Sequence, residues 1–167
     1  MCEYIKEFTC FADLTKQANE MLAKSDKVVE PSKLYSSLTE TKFLDASQRN
    51  SVYRIFTDKK HFELAEQYVK RLNELDSVYF YKLVRNDITH IIYEKGGFFK
   101  RHEDYLSLTT NCLEEYTMII YLNSDCIGGE TVFHLNKFLS HASVPEEGKV
   151  VIFRKDLEHE GNLVTSG

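Results

Sequence analysis

All seven glycines of this 167-residue chain come after residue 95: Gly96, Gly97, Gly128, Gly129, Gly148, Gly161 and Gly167. Glycine adopts positive φ without steric cost, so turns of that kind belong to the second half alone. The hydrophobic period changes near the same place. From residue 77 onward, VYFYKLV, THIIY, YTMIIYL, ETVFH and KVVIF are short runs of β-branched and aromatic residues. RND, KGG, NSDCIGG and PEEG separate them, and no proline interrupts a run. Five or more short strands with glycine turns predict a sandwich or a barrel.

The first half reads differently. Ile5, Phe8 and Ala12, then Ala18, Met21 and Leu22, suggest an N-terminal helix. Leu64, Tyr68, Leu72 and Leu75 form a clearer stripe of helical period, with Asp58 placed to cap it. Between them, KVVEPSKLYSSLTE reads as a loop or short strand around Pro31. The expectation is one α+β domain over residues 1–167, with residues 1–76 mainly helical support and residues 77–167 the β core.

Composition narrows the partners. Lys and Arg number 21 against 26 Asp and Glu, a net charge of -5, which argues against a nucleic acid held by its phosphates. No apolar run approaches the roughly 18 residues of a membrane-spanning helix. MCEYIKEFTCFADL lacks the basic start and apolar centre of a signal peptide, so a cytoplasmic location is expected. Cys2, Cys10, Cys112 and Cys126 form no C-x-x-C pair and read as free thiols.

Metal-ligating residues are the chemistry to look for. In FFKRHEDYLS, His102 and Asp104 are two apart, which on a strand puts both side chains on one face and sends Glu103 to the other. A second imidazole on a later strand would complete two histidines and one carboxylate, leaving open positions for O2 and a bidentate organic acid. His159, after KVVIF, supplies it. Of the other histidines, His61 reads as a surface or cap residue and His90 as a strand residue bonded locally. His134 and His141 flank LNKFLS, near enough to the mouth of such a site for substrate contact.

YEKGGFFKRHED, YTMIIYLN, GGETVF, PEEGKVVIF and HEGNLVTSG occur in the order and spacing of the prolyl 4-hydroxylase-like 2-oxoglutarate/Fe(II) dioxygenases. The chain resembles that family over about residues 78–167. The resemblance implies a double-stranded β-helix (a jelly roll) with N-terminal support helices. It implies iron at His102, Asp104 and His159, and a 2-oxoglutarate pocket lined by Tyr93, Tyr121 and Thr131. Nine residues separate Tyr93 from His102, so the Gly96-Gly97 turn has to reset the strand parity if both are to face one side. The implied cofactors are Fe(II), 2-oxoglutarate and O2, with ascorbate as reductant. The implied reaction decarboxylates 2-oxoglutarate to succinate and hydroxylates a C–H bond of a prolyl residue, another side chain or a small molecule.

The family carries a Lys or Arg about ten residues after its second histidine. From His159 that is position 169, beyond Gly167. The expectation is a jelly roll lacking its last strand, with an unpaired edge near KVVIF, a final TSG turn, and iron binding with little turnover. A non-enzymatic metal-binding module of the same fold is the alternative, and a zinc hydrolase using the same three ligands is a third reading. CLEEY and KFLSHASVPEEG are the segments expected to vary with substrate.

Overall fold

The computed structural model describes residues 4–36, 41–84, 88–104 and 116–167. Its elements are β1 (Ile5–Phe8), α1 (Ala12–Ala23), β2 (Glu30–Pro31), β3 (Leu34–Ser36), β4 (Thr41–Phe43), β5 (Arg49–Asn50), β6 (Val52–Phe56) and α2 (Lys59–Leu75). There follow β7 (Ile88–Ile92), β8 (Phe98–His102), β9 (Tyr116–Ile120), β10 (Ile127–Gly128), β11 (Thr131–His134) and β12 (Ser140–Ser143). Last come β13 (Val150–Arg154), β14 (His159–Gly161) and β15 (Val164–Ser166).

Two antiparallel sheets form the body. One has the order β1-β13-β9, the other β12-β11-β14-β8-β5. Smaller ladders join β2-β6-β7, β10-β15 and β3-β4. β13 explains why KVVIF is apolar without alternation: both of its faces are covered. Val150 and Ile152 pack outward against Phe11, Leu14, Leu64, Tyr68 and Leu72 of the helical layer. Val151 and Phe153 pack inward with Ile5, Phe133 and Leu157, between the two sheets. Inside the helical layer, Thr15 Oγ1 and Tyr68 OH are 2.9 Å apart, which satisfies both buried hydroxyls. Gly148 lets the PEEG turn seat against α1: its φ is +82°, and a Cβ there would lie 2.9 Å from the Ala12 nitrogen.

The helical half is less helical than its periodicity suggests. Ile5 and Phe8 lie in β1, paired with Phe153 and Val150, and β2 to β6 also fall before residue 57. Pairing with a waiting sheet edge outweighs the propensity of a few residues. That pairing also corrects the expected open edge at KVVIF, since β13 has β1 on one side and β9 on the other. VTS is likewise a strand, β15, with Ile127 opposite Ser166, rather than a turn.

VYFYKLV forms no strand between residues 78 and 84. The end of α2 satisfies its backbone instead. Val78 and Tyr79 amides donate to Asp76 Oδ1 at 2.9 and 3.2 Å, and Asn73 bonds both the amide and the carbonyl of Tyr81. Three of its amides and one of its carbonyls are thus taken by side chains of α2 and its cap rather than by a neighbouring strand. Asp58 caps α2 as expected, accepting from the His61 amide at 3.3 Å.

Candidate metal centre

β8 and β14 are neighbours, and their register sets His159 directly opposite His102. A register shift between His159 and Gly161 marks a local irregularity at this point of the ladder. Each imidazole is oriented the same way. His102 Nδ1 lies 2.7 Å from the Lys100 carbonyl and His159 Nδ1 lies 2.9 Å from the Leu157 carbonyl. A carbonyl only accepts, so both Nδ1 atoms carry the proton and both Nε2 lone pairs are free.

Those lone pairs converge on Asp104. Its Oδ1 is 3.8 Å from His102 Nε2 and 3.7 Å from His159 Nε2. Thr117 Oγ1 donates to the other oxygen, Oδ2, and the Asp104 amide donates to the Lys155 carbonyl at 3.0 Å. The carboxylate is held from behind, with one oxygen presented. The three ligand atoms lie within 4.8 Å of one another. Metal bonds of about 2.1 Å set near right angles put neighbouring donors about 3 Å apart, so the three side chains would draw in by about an ångström to close on a metal. The donor set, two neutral imidazoles and one carboxylate on one side, fits a divalent metal with open positions.

Aromatic rings hold the imidazoles in place. Phe99 stacks on His102 at 3.5 Å between centroids, and Phe153 meets His159 edge-on at 4.6 Å. The Arg49 guanidinium lies over the Phe99 ring at 4.3 Å. Burial, and after it the charge of His159, pull the His102 pKa down to about 4, so the ring is neutral near pH 7 and able to bind metal.

The other expected residues divide into two places. Gly96-Gly97 does turn the chain between β7 and β8, with φ +85° at Gly96, so no straight strand joins Tyr93 to His102. A Cβ on Gly97 would lie 2.7 Å from the Glu94 oxygen and 3.0 Å from Tyr93 Cβ, which requires glycine there. Burial raises the Tyr93 pKa, opposed by Arg49 and by hydrogen bonds to Arg49 and Ser51, and the Asp104 charge reaches it. Tyr121 and Thr131 meet each other, hydroxyl to hydroxyl at 2.7 Å.

His90 accepts from Arg54 Nε at 3.0 Å, and His61 sits by Asp58 at the helix start, both as read from sequence. His134 and His141 contact Glu160 and Glu7, at 3.1 and 2.8 Å. Cys10 and Cys126 are free thiols. Cys2, Cys112 and most of CLEEY lie outside the described residues. Thr117 was missed by sequence reading, although its spacing of four from Tyr121 already put both on one strand face. A hollow of about 300 Å³ between the ends of α1 and α2, lined by Met21, Lys24, Phe56 and His61 among others, shares no residue with the metal ligands.

Comparison with known proteins agrees with this geometry. Residues 88–167 match the model of the 2OG-Fe(II) oxygenase superfamily. A fowlpox virus (strain NVSL) protein, FPV006/FPV255, is 28% identical over 165 residues, 95% of this chain, and the chain spans 38% of that protein's length. Among solved structures, a Pseudomonas putida prolyl-4-hydroxylase aligns with a TM-score of 0.67 at 18% identity, covering 98% of this chain and 87% of that one. The viral collagen prolyl hydroxylase of Paramecium bursaria Chlorella virus-1, solved with 2-oxoglutarate, aligns at 0.66 and 17% identity, covering 99% and 91%. A Trichoplax adhaerens prolyl hydroxylase, solved with a hypoxia inducible factor peptide fragment, aligns at 0.68 and 15% identity, covering 97% and 78%. The neighbours share a jelly-roll fold, which the paired sheets described above reproduce. In its sequence match over residues 88–167, its fold and its two-histidine, one-carboxylate cluster, the chain is similar to the 2OG-Fe(II) oxygenase superfamily and to the prolyl 4-hydroxylases within it.

Proposed function

We propose that this chain is an Fe(II)- and 2-oxoglutarate-dependent hydroxylase acting on a C–H bond. The observation that carries the reading is the convergence of His102 Nε2, His159 Nε2 and Asp104 Oδ1 within 4.8 Å, each fixed from behind by a hydrogen bond. Bound there, Fe(II) supplies the redox chemistry by which 2-oxoglutarate, O2 and R–H give succinate, CO2 and R–OH. The protein's part is positional. The carbonyls of Lys100 and Leu157 fix the imidazole tautomers, and Thr117 leaves Asp104 one oxygen to present. Phe99, Phe133 and Phe153 exclude water from the buried flank.

A peptidyl prolyl group is the substrate to test first, because the Trichoplax neighbour was solved with a peptide bound. Succinate formation with Fe(II), ascorbate, 2-oxoglutarate and a proline-containing peptide tests the reading; its absence in protein that binds metal would overturn it. The alternative reading is a metal-binding module of the same fold with impaired turnover. Metal binding with no succinate would decide for it.

A further inference from the structure

The β11–β12 hairpin carries an apolar tip that the fold leaves in solvent. Phe133 and His141 are register partners on the rung of His159. Towards the interior the same two strands carry Thr131 and Ser143, where Tyr121 OH meets the Thr131 hydroxyl at 2.7 Å and the Ser143 carbonyl at 3.3 Å. In the other direction the ladder runs one rung past the strand ends, and the Leu135 amide donates to the Leu139 carbonyl at 3.0 Å. β8 ends at His102 and β14 begins at His159, so this turn leaves the sheet at the end where the metal ligands stand. The Leu135–Leu139 rung is two residues, about 7 Å of strand, beyond that of His159.

The turn is braced. Asn136 N also donates to the Leu139 carbonyl at 3.2 Å, and Phe138 N donates to Asn136 Oδ1 at 2.8 Å. At its base, His134 lies 3.1 Å from Glu160 of β14, and His141 lies 2.8 Å from Glu7 of β1. Leu135 packs with the inward cluster of Phe133 and Phe153, and Leu139, its partner across the ladder, shares that face. Yet Leu139 is 54% exposed, and Phe138 at the tip is 96% exposed. Two adjacent apolar side chains held out on an ordered turn forgo burial that a partner could supply.

Shape and distance constrain that partner. Small-molecule sites are concave and enclose the ligand. A protruding tip encloses nothing, and packs instead against a partner with a surface of its own, such as a polypeptide. An extended polypeptide advances about 3.3 Å per residue. A residue placed at the metal therefore sets its neighbours two and three positions away beside Leu139 and Phe138.

Resting on the function proposed above, we infer that the β11–β12 turn selects a peptide substrate: Leu139 and Phe138 receive an apolar side chain two or three residues from the one that is hydroxylated. Fluorescein-labelled peptides with a central proline in a Gly-Ser background test this. Each carries a single leucine, one to five residues to either side, and one peptide carries none. Anisotropy in the presence of Mn(II) and 2-oxoglutarate reads their binding. Leucine two or three residues from proline, on one side only, should raise affinity at least about 10-fold, the scale of burying a leucine side chain. Phe138→Ser combined with Leu139→Ser should remove that preference while binding Mn(II) as wild type does, and Leu139→Met should keep most of it. A preference that survives in the double variant overturns the assignment, as does a wild type that favours no leucine position. Succinate formation with the preferred peptide separates the two proposals. A position-dependent preference without succinate would uphold the binding surface and fail the hydroxylase.

Discussion

The two faces of β13 sit a few ångströms apart and do opposite work. The outward face, Val150 and Ile152, meets a helical layer whose buried groups are almost all apolar, with one hydroxyl pair between Thr15 and Tyr68. The inward face, Val151 and Phe153, borders the metal ligands and the Tyr121–Thr131–Ser143 cluster. One side is closed by packing. Among the described residues, the other keeps polar groups in a buried setting, paired with one another except for the Ser143 hydroxyl. A strand apolar on both faces can separate stability from chemistry in this way, and substitutions on the two sides should fail differently.

The largest effect should come from the inner side. Asp104→Ala should weaken Fe(II) or Mn(II) binding by more than about 100-fold, because two neutral imidazoles leave the metal charge unbalanced. Calorimetric titration reads it, and metal retained at full stoichiometry and affinity would remove Asp104 from the site. On the outer side, Leu72→Ala empties a fully buried position and should cost about 2–5 kcal/mol of stability in denaturant unfolding. Metal affinity of the folded fraction should not change; a parallel loss would mean the two faces are coupled.

Thr117→Val sharpens the comparison from within. It removes the hydrogen bond that holds the rear oxygen of Asp104, and should lower metal affinity about 10- to 100-fold, with Thr117→Ser restoring it. If Val binds metal as well as Thr does, the rear contact has no role in positioning.

A smaller effect concerns pH and lies away from both faces. Burial, and after it the charge of Arg54, lower the His90 pKa from 6.5 to about 4. The unfolded chain therefore takes up this proton first. The stabilisation from neutral His90 is complete above about pH 6.5 and is lost as pH falls towards 4. His90→Gln should flatten the fall in Tm over that window, and an unchanged slope would assign it to other groups. Smallest is Asp58→Ala, which removes the α2 cap and should cost about 1 kcal/mol.

How much of this was legible in the sequence depends on range. The convergence of His102, Asp104 and His159 was, because the motifs around them fix where each falls, although Asp104 lies just past the end of β8 rather than on it. The strands THIIY, YTMIIYL, ETVFH and KVVIF formed where their β-branched and aromatic residues predict them. β1 was not legible. Ile5 and Phe8 suit a helix start equally well, and only the edge of β13, far along the chain, decides between the two. VYFYKLV failed in the opposite sense: its residues prefer a strand, but Asp76 and Asn73 take the amides of Val78, Tyr79 and Tyr81.

The pairing of Ile5 with Phe153 also sets a timetable. β1 must wait for β13 before it has its neighbour, and closing so long a loop slows folding. Once β9 has taken one edge of β13, the other is the edge that β1 covers. Removing residues 1–8 would leave that edge open for good, and such an edge recruits other chains. The tetrapeptide strand β1 thus covers an edge that would otherwise be open to other chains.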